Sequence, residues 1–290
     1  MASESVSCYL CGMPVRACFS RFGGSVYECP DCFFRLLHPQ PDDAALRQVY
    51  GDAYFIGHDD AGEARHAAAL KRATAESYLD IILKNCGVKN PRLLEAGCGS
   101  GDFLQAAQAR GCDVAGVEFS PHASANANKL LGSERVFVGT LADVPAARGP
   151  FDVVCAFDVI EHVRKPQEFL ELAAKLLRPG GIVFIVTPAL DSWSARVMGQ
   201  RWMEYKLEHL SYFSRKSIRV ALKRAGFSDV SVTSNTKTLS FDYVYQHFVR
   251  YPVGGFTPMV RLAHWLTPGF LARRPVQIVA SGLAALARKS

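Results

Sequence analysis

Short apolar runs alternate with amphipathic stretches through the middle of the chain. Runs bounded by turn residues predict strands at residues 92–96, 114–119, 136–138, 151–157 and 182–186. Stretches with helical spacing predict helices at residues 101–110, 121–131 and 166–177. Strands that alternate with helices build a parallel sheet with helices on both faces, so the predicted fold class is α/β.

Weaker patterns flank this block. A loose helical stripe predicts a long helix over residues 59–85, and a helix at 214–225 precedes a strand near 230–232. The run from Val276 to Ala280 is rich in β-branched residues and fits a final strand. The closing run from Ala284 to Lys289 favours a helix by intrinsic propensity.

The N-terminal segment differs from the rest because it holds two close pairs of cysteines. Pro39-Gln40-Pro41 interrupts the chain, and Asp42 and Asp43 suit the start of a helix that runs towards Tyr50. We divide the chain into a cysteine ribbon at 1–38, a helical linker and N-terminal cap at 39–88, a core at 89–235, and a C-terminal extension at 236–290 that completes the sheet or forms a lid.

The composition of the 290 residues narrows the class of protein. Hydrophobic residues make up 49% and charged residues 21%, which excludes a disordered chain. The net charge of +6 suits an anionic substrate, but no dense run of Lys and Arg marks a nucleic-acid surface. We find no secretory signal and no apolar run of about 18 residues, and therefore expect a cytoplasmic protein without a transmembrane segment.

Four of the nine cysteines have the spacing of a metal site. Two residues separate Cys8 from Cys11 and Cys29 from Cys32, and 17 residues lie between the pairs. Four thiolates complete the tetrahedral shell of Zn²⁺ and leave no open position, so the predicted zinc is structural. The other cysteines are scattered singly, which argues against a disulfide framework and for a reducing compartment.

A glycine-rich turn follows the first strand of the alternating block and opens a helix. Gly97, Gly99 and Gly101 occupy every second position, whereas a dinucleotide fingerprint needs its third glycine at the position of Asp102. Carboxylates at Glu95 and Asp102 flank the turn and disfavour a pyrophosphate there. A ligand that carries an ammonium and a sulfonium but no phosphate fits better, and S-adenosylmethionine is such a ligand.

A further carboxylate is expected at the same edge of the sheet. Glu118 ends the second strand, 17 residues after Gly101. The carboxyl ends of parallel strands meet at the ligand-binding edge, where a carboxylate can accept hydrogen bonds from both ribose hydroxyls. We therefore predict that Glu118 binds the ribose of the cofactor.

Together these motifs resemble the class I S-adenosylmethionine-dependent methyltransferases over roughly residues 90–188. The matching segments run in the family's order: Glu95 to Gly101, Glu118, Phe151-Asp152, Asp158 to Val163, and Leu177 to Gly181. The resemblance implies a Rossmann-like seven-stranded methyltransferase sheet whose last strand is antiparallel, preceded by a small zinc ribbon. It also implies these cofactor-binding residues: Glu95, Gly97, Cys98, Gly99, Gly101, Glu118, Phe119, Leu141, Phe157 and Asp158.

The resemblance also implies roles within that set. The glycine-rich turn should pass under the methionine part of the cofactor, Leu141 should border the adenine, and Asp143 is a candidate partner for the adenine amine. The segment from Cys29 to Tyr50 and Tyr54-Phe55 is similar to the ribbon and helix that precede many such methyltransferases. Those proteins often act in sugar, cell-surface or natural-product pathways.

Two histidines are the candidate catalytic residues. Methyl transfer from a sulfonium depends mostly on alignment and desolvation, but an oxygen or nitrogen acceptor often needs a nearby base. His162 follows the fourth strand and His209 follows the fifth, both at the edge that carries the glycine turn. Histidine titrates near neutral pH, which suits a base, although either residue could be an ordinary loop or capping histidine.

A metal site is the alternative reading of the same region. Asp158, Glu161, His162 and His209 could together bind a divalent cation such as Mg²⁺. The pattern resembles that of ubiquinone-pathway O-methyltransferases and small-RNA 2′-O-methyltransferases, which are similar in using Mg²⁺ or a related ion there. This chain has Asp158 where their pattern begins with Glu.

The leading functional hypothesis is methyl transfer to a small-molecule acceptor, at oxygen. The acceptor could be a sugar, a cell-surface glycan, a lipid intermediate or a natural product. The alternatives are an RNA 2′-O-methyltransferase and a non-catalytic cofactor-binding or scaffold protein, and Asp102 disfavours an NAD-dependent enzyme. The aromatic and arginine-rich tail from Phe241 onward could be a lid, a wall of the substrate pocket, a peripheral membrane contact or a packing extension. The sequence leaves the oligomeric state open.

Overall fold

A computed structural model of the chain describes residues 6–49, 61–250, 252 and 254–290. Tyr50, Tyr54, Phe55 and the predicted helix start at 59–60 lie outside the described residues. The N-terminal elements are β1 (Arg16–Arg21), β2 (Gly24–Glu28), β3 (Arg35–His38), α1 (Asp43–Val49) and α2 (Ala61–Cys86). The Asp42 Oδ1 atom accepts a hydrogen bond from the backbone N–H of Ala45 at 2.8 Å, so Asp42 caps α1 as its sequence position predicts.

The central block follows the predicted alternation closely. Its elements are β4 (Arg92–Ala96), α3 (Asp102–Ala109), β5 (Asp113–Glu118), α4 (Pro121–Leu131), β6 (Val136–Val138), β7 (Phe151–Phe157), α5 (Pro166–Leu176) and β8 (Leu177–Pro188). Local signals set several of these bounds. Ser120 caps α4 by accepting a hydrogen bond from Ala123 N–H, Pro121 occupies the first turn, and Gly132 ends the helix in the left-handed conformation.

The C-terminal part completes the chain. It contains α6 (Trp193–Met198), β9 (Ser211–Tyr212), α7 (Arg215–Arg224), β10 (Phe227–Leu239), α8 (Phe241–Arg250), α9 (Phe256–Leu266), α10 (Gly269–Ala272) and β11 (Val276–Lys289). The helices of the tail, α8 to α10, were not among the predicted elements. No helix in the described ranges is long and apolar enough to cross a bilayer.

The main sheet has seven strands in the order β10-β11-β8-β7-β4-β5-β6. β4 to β8 pair in parallel, whereas β11 runs antiparallel to both of its neighbours. The seven-stranded sheet with an antiparallel last strand is therefore confirmed. The helix expected from Ala284 to Lys289 is wrong, because these residues form the second half of β11. Ala285 and Ala287 are completely buried between β8 and β10, and this packing outweighs the helical preference of alanine.

Alternation along the central strands divides the core into two layers. Leu94, Val154 and Ala156 point to the face covered by α5 and α7, and Leu93 and Val153 point to the face covered by α2, α3 and α4. Helices therefore cover both faces of the sheet, as predicted.

The cysteine ribbon packs against the first of these faces and continues into the core domain. β1, β2 and β3 form a four-stranded antiparallel sheet with β9, which lies between β8 and α7 in the chain. Phe34 and Phe213 contact each other with ring centroids 5.1 Å apart, and both are completely buried. The ribbon sheet is thus joined to the core domain through β9, next to His209 in the chain.

Candidate active site and metal centres

The glycine turn joins β4 to α3 at the carboxyl edge of the sheet. Gly97, Gly99 and Gly101 have φ angles of +67°, +52° and +86°, which favour glycine. A Cβ atom at Gly97 would lie 2.5 Å from Cγ2 of Val159, and one at Gly101 would lie 3.0 Å from Cβ of Ala127. A Cβ atom at Gly99 would meet open space. The outer two glycines therefore permit close packing, and the middle one presents bare backbone to the space above the turn.

Glu118 is fixed beside this turn. Its Oε2 atom accepts a hydrogen bond from the backbone N–H of Gly99, and its Oε1 atom accepts one from Ser120, both at 2.9 Å. The next residue, Phe119, is 72% exposed although it is a large aromatic side chain. A positioned carboxylate next to an exposed ring is the arrangement that a ribose and an adenine would contact.

Glu95 is the buried carboxylate below the turn. Its side chain is buried, and its Oε2 atom has no hydrogen-bond partner among the described residues. Burial raises the pKa of this carboxyl well above its usual range, and the nearby charges of Asp102 and Glu118 add to the effect. An unpaired buried oxygen among acidic groups fits a cationic ligand, so the residues present fit the ammonium and sulfonium of S-adenosylmethionine.

Cys98 and Leu141, two further residues of the predicted cofactor site, are both buried. A Cβ atom at Gly116 would approach Cys98 Sγ to 2.7 Å, so the thiol packs tightly over β5. Leu141 begins a short 3₁₀ turn. The Oδ2 atom of Asp143 accepts hydrogen bonds from the N–H and hydroxyl of Thr140 at 2.8 and 2.9 Å, and these bonds lower the pKa of Asp143. This oxygen is therefore occupied in capping the turn.

Phe157 and Asp158 lie where β7 ends. Phe157 stacks on Tyr78 with ring centroids 5.0 Å apart, so it belongs to the packed layer under the site. Asp158 has a φ of +54°, and its Oδ2 atom accepts a hydrogen bond from Lys237 Nζ at 2.7 Å. The structure thus pairs Asp158 with a cation of the protein itself, on β10.

His162 and His209 are brought together although 46 residues separate them in the chain. Their rings are 4.6 Å apart and nearly perpendicular. His162 Nδ1 lies 3.0 Å from the carbonyl oxygen of Glu208, and because a carbonyl only accepts, Nδ1 carries the proton. Burial lowers the pKa of His162 to about 4 and that of His209 well below its usual value, so both rings are neutral at pH 7.

Glu161 completes a three-residue cluster with the two histidines. One ligand atom from each of Glu161, His162 and His209 lies within 4.8 Å of the others. Glu161 Oε2 accepts a hydrogen bond from Thr187, but Glu161 Oε1 and His209 Nδ1 are buried and have no hydrogen-bond partner in the described part of the chain. Burial, followed by the charge of Asp158, raises the pKa of Glu161 to about 8. A carboxylate and two neutral imidazoles form a donor set that suits a divalent cation.

A cavity of about 1060 Å³ opens above this cluster. Its polar floor contains Asp158, Glu161, His162, His209 and Lys237. Its walls come mainly from α6 and the tail helices, and their apolar members include Trp193, Val197, Met198, Val244, Phe248 and Met259. Val159, which packs against Gly97, follows Asp158 directly, so the cavity floor adjoins the glycine turn.

The four N-terminal cysteines converge as their spacing predicts. Cys8 and Cys32 have their Sγ atoms 3.7 Å apart, and Cys11 and Cys29 have theirs 3.5 Å apart. Four thiolates around Zn²⁺ at about 2.3 Å would be about 3.8 Å from one another, so the cluster has the size of a zinc site. No disulfide joins any of these residues.

The ribbon also supports the segment around His209. The backbone N–H of Leu37 donates to the carbonyl oxygen of Leu210 at 3.0 Å, next to His209. Arg35 donates a hydrogen bond of 2.7 Å to the hydroxyl of Tyr205 on the same loop. One edge of the ribbon sheet therefore holds the second histidine in place.

Comparison with known proteins agrees with this geometry. Residues 65–232 match the model of a methyltransferase domain family. The chain belongs to the class I S-adenosylmethionine-dependent methyltransferases. The fold of the methyltransferase is similar to magnesium protoporphyrin IX methyltransferase from Synechocystis with bound S-adenosylhomocysteine, at 15% identity and a TM-score of 0.54, over 86% of this chain and 100% of the other. A methyltransferase from Thermotoga maritima gives 18% identity and a TM-score of 0.51, over 77% of this chain and 91% of the other.

Two curated relatives share the name ubiquinone biosynthesis O-methyltransferase. The protein from Azoarcus sp. (strain BH72) is 34% identical over 114 residues, which are 38% of this methyltransferase and 49% of that protein. The protein from Xylella fastidiosa (strain 9a5c) is 31% identical over 171 residues, 53% of this chain and 68% of the relative. The chain thus spans about half the length of the first relative.

Sequence reasoning missed Lys237 and the helical roof of the cavity. Lys237 lies in the long strand β10, within a polar run that extends from Thr233 to Thr238. No motif links that run to Asp158, which is 79 residues away. The cofactor-binding and catalytic residues named from sequence lie at the carboxyl edge of the sheet or beside it, whereas the four cysteines lie in the ribbon. The roles of all of these residues remain predictions.

Proposed function

We propose that the methyltransferase transfers a methyl group to a hydroxyl oxygen of a small acceptor with an apolar body. The observation that supports this most directly is the cavity, which places apolar walls over a polar floor beside the glycine turn. Pockets of this kind bind small molecules by burying their apolar part and orienting it with a few polar groups. The hydroxyl would lie on the floor, near Asp158 and His162.

The cofactor side of the site is assigned to the glycine turn and its neighbours. Glu95 would bind the ammonium group, Glu118 the ribose hydroxyls, and Phe119 the face of the adenine. Bound S-adenosylmethionine would supply a methyl group to the acceptor oxygen, with S-adenosylhomocysteine as the leaving group. Because Gly99 and Ser120 already hold Glu118, little reorganisation is needed when the ribose arrives.

The acceptor side is assigned to the polar floor and the apolar walls. The walls exclude water from the acceptor, which favours displacement at the sulfonium. His162 donates through Nδ1 to Glu208, so its lone pair is on Nε2, which can bind a cation or, where no cation is bound, accept a proton. Lys237 and Asp158 would orient a polar group of the acceptor.

A divalent cation is proposed at Glu161, His162 and His209. Glu161 Oε1 has no hydrogen-bond partner among the described residues, and His209 Nδ1 has only Glu204 Oε2 at 3.8 Å, beyond hydrogen-bond distance. Both atoms support the proposal, since buried polar atoms without hydrogen bonds are costly. The cation would lower the pKa of an acceptor hydroxyl. Asp158, the fourth ligand that the sequence suggested, instead contacts Lys237, and we assign it to the acceptor rather than to the cation.

A structural Zn²⁺ ion is proposed at Cys8, Cys11, Cys29 and Cys32. The convergence of four thiols in a ribbon with no disulfide supports it. Because four protein ligands fill a tetrahedral shell, the ion would have no role in the chemistry.

The named relatives favour oxygen as the methylated atom. The curated proteins are O-methyltransferases of ubiquinone biosynthesis, and their names support a hydroxylated ring with an apolar substituent as the class of acceptor. An RNA acceptor is less well supported, because the walls of the cavity are apolar and the sequence has no dense basic run.

The test measures transfer of labelled methyl from S-adenosylmethionine to three acceptors: an alkyl-substituted catechol, a sugar nucleotide and an RNA oligonucleotide. We expect methylation of the catechol alone, at oxygen, and binding of S-adenosylhomocysteine but not NAD by calorimetry. Gly99→Arg should abolish that binding, because its side chain would enter the space above the turn. Methylation of RNA in preference to the catechol would overturn the proposal, and cofactor binding without transfer to any acceptor would indicate a non-catalytic protein.

A further inference from the structure

In the tail helix α9, most of the large apolar side chains lie on the exposed face and not on the buried one. Phe256 at the start of α9 contacts Phe248 of α8 with ring centroids 5.1 Å apart, and the inward residues after it are Thr257, Val260 and His264. Thr257 contacts the backbone of Phe248, and His264 stacks on Tyr245 at 3.9 Å. A surface helix of a soluble protein normally turns its large apolar residues inward. Here the inward face is the smaller and more polar one.

The opposite face carries the large apolar side chains. Met259, Leu262, Trp265 and Leu266 are 59–79% exposed, and Phe270 and Leu271 of α10 extend the same surface at 77% and 45%. We call these six residues the tail surface. A contiguous apolar surface of this kind marks a site of protein or membrane contact.

Charge indicates what covers the tail surface. Of the six Lys and Arg residues in residues 243–290, Arg261, Arg273 and Arg274 lie on α9 or directly after α10, and Arg273 also forms an ion pair with Asp242 at 3.9 Å. Arg261 adjoins the tail surface on α9, and Arg273 and Arg274 follow α10; all three are exposed. A second copy of the chain would bring these arginines against one another, whereas an anionic surface would neutralise them.

We infer that the tail surface binds the interfacial region of an anionic lipid bilayer. Trp265 suits the level of the headgroups, and the leucines and Phe270 suit the acyl boundary, with the arginines at the phosphates. Met259 belongs both to the tail surface and to the cavity wall, so the membrane-facing side adjoins the proposed acceptor site.

The experiment is co-sedimentation of the full chain with vesicles of phosphatidylcholine, with and without phosphatidylglycerol. It needs neither cofactor nor acceptor, so its failure leaves the proposed function intact. We expect binding to the anionic vesicles that weakens with salt, and a blue shift of tryptophan fluorescence. Trp265→Glu should lower binding by about tenfold or more. The matched control is Ile81→Glu on α2, where an apolar side chain is 40% exposed on another surface.

A second variant separates charge from apolar contact. Arg273→Gln combined with Arg274→Gln should lower binding to anionic vesicles by roughly tenfold, with little change on neutral ones. Equal binding by Trp265→Glu and the intact chain would overturn the inference. A second result would also overturn it: the intact chain binds neither kind of vesicle and is a dimer by light scattering, whereas Trp265→Glu is a monomer. A second copy of the chain would then cover the tail surface.

Discussion

The two candidate metal centres of the methyltransferase differ in how they are built. The cysteine cluster draws four like ligands from two short hairpin-like turns of one small ribbon. The cluster of Glu161, His162 and His209 draws three ligands from two loops that the sheet brings together, and it borders a cavity. A closed shell of thiolates favours a structural ion, and an incomplete shell beside a cavity favours chemistry.

The two centres are nevertheless connected. β3 follows Cys32, the last residue of the cysteine cluster, and pairs with β9. β9 begins two residues after His209. A change at the ribbon should therefore reach the histidines, while a change at the histidines should leave the ribbon intact. Variants at each centre test this asymmetry.

The largest effect is expected at the ribbon. Cys29→Ser should lower bound zinc below one ion per chain and lower the melting temperature by about 10 °C or more, because a structural Zn²⁺ stabilises a small ribbon strongly. Methyl transfer should fall as well, since the support of the His209 loop is lost. Elemental analysis and thermal unfolding measure the two quantities.

The matched control for this variant is Cys18→Ser. Cys18 lies on β1 of the same ribbon but is exposed and outside the four-cysteine cluster. Zinc content and melting temperature should equal those of the intact chain. Stoichiometric zinc in Cys29→Ser would show that the four-cysteine assignment is wrong.

A smaller but more selective loss is expected at the open centre. Glu161→Gln keeps the shape of the side chain and removes a charged ligand, so methyl transfer should fall by about 100-fold while the affinity for S-adenosylhomocysteine changes little. Zinc content should stay the same. Glu168→Gln, an exposed substitution on α5, serves as the control. A parallel loss of cofactor affinity would place Glu161 in the cofactor site instead.

The fold was largely predictable because its signals are local. Pro121 and Gly132 mark the ends of α4, and buried apolar runs mark β4 and β7. The end of the chain was not predictable in the same way. Its alanines favour a helix locally, but they form a strand because β11 pairs with both β8 and β10, which places Ala285 and Ala287 in the buried core on one face of the sheet.

The candidate site likewise has parts that depend on local sequence and parts that depend on contacts between distant residues. The glycine turn, Glu118 and the four cysteines are fixed by spacing over short stretches of chain, so the sequence indicates them directly. The contact of Lys237 with Asp158 depends on the register of β10 against β11, which no pattern in the sequence reports. Asp158 therefore contacts Lys237 and lies outside the cluster of Glu161, His162 and His209.

Chelation separates the two centres without mutation. Brief treatment with EDTA should remove a cation from the open centre, where three ligands hold it, before it removes zinc from four buried thiolates. We expect methyl transfer to fall by about tenfold or more and to return on addition of Mg²⁺. Activity that is unaffected by EDTA, together with a large loss in His162→Ala, would instead indicate that His162 acts as a base without a metal.

The smallest expected effect is a pH dependence of stability in the EDTA-treated protein. The folded pKa of Glu161 is raised to about 8, above an unfolded value of about 4.3, so the folded state holds a proton that the unfolded state has released. Between these values the free energy of unfolding should therefore fall as the pH rises, by at most about 1.4 kcal/mol per pH unit. Denaturant unfolding at several pH values measures this slope. Glu161→Gln should reduce the slope, and so should Mg²⁺, because a cation stabilises the ionised carboxylate. An unchanged slope in Glu161→Gln would mean that another buried group, such as Glu95, dominates.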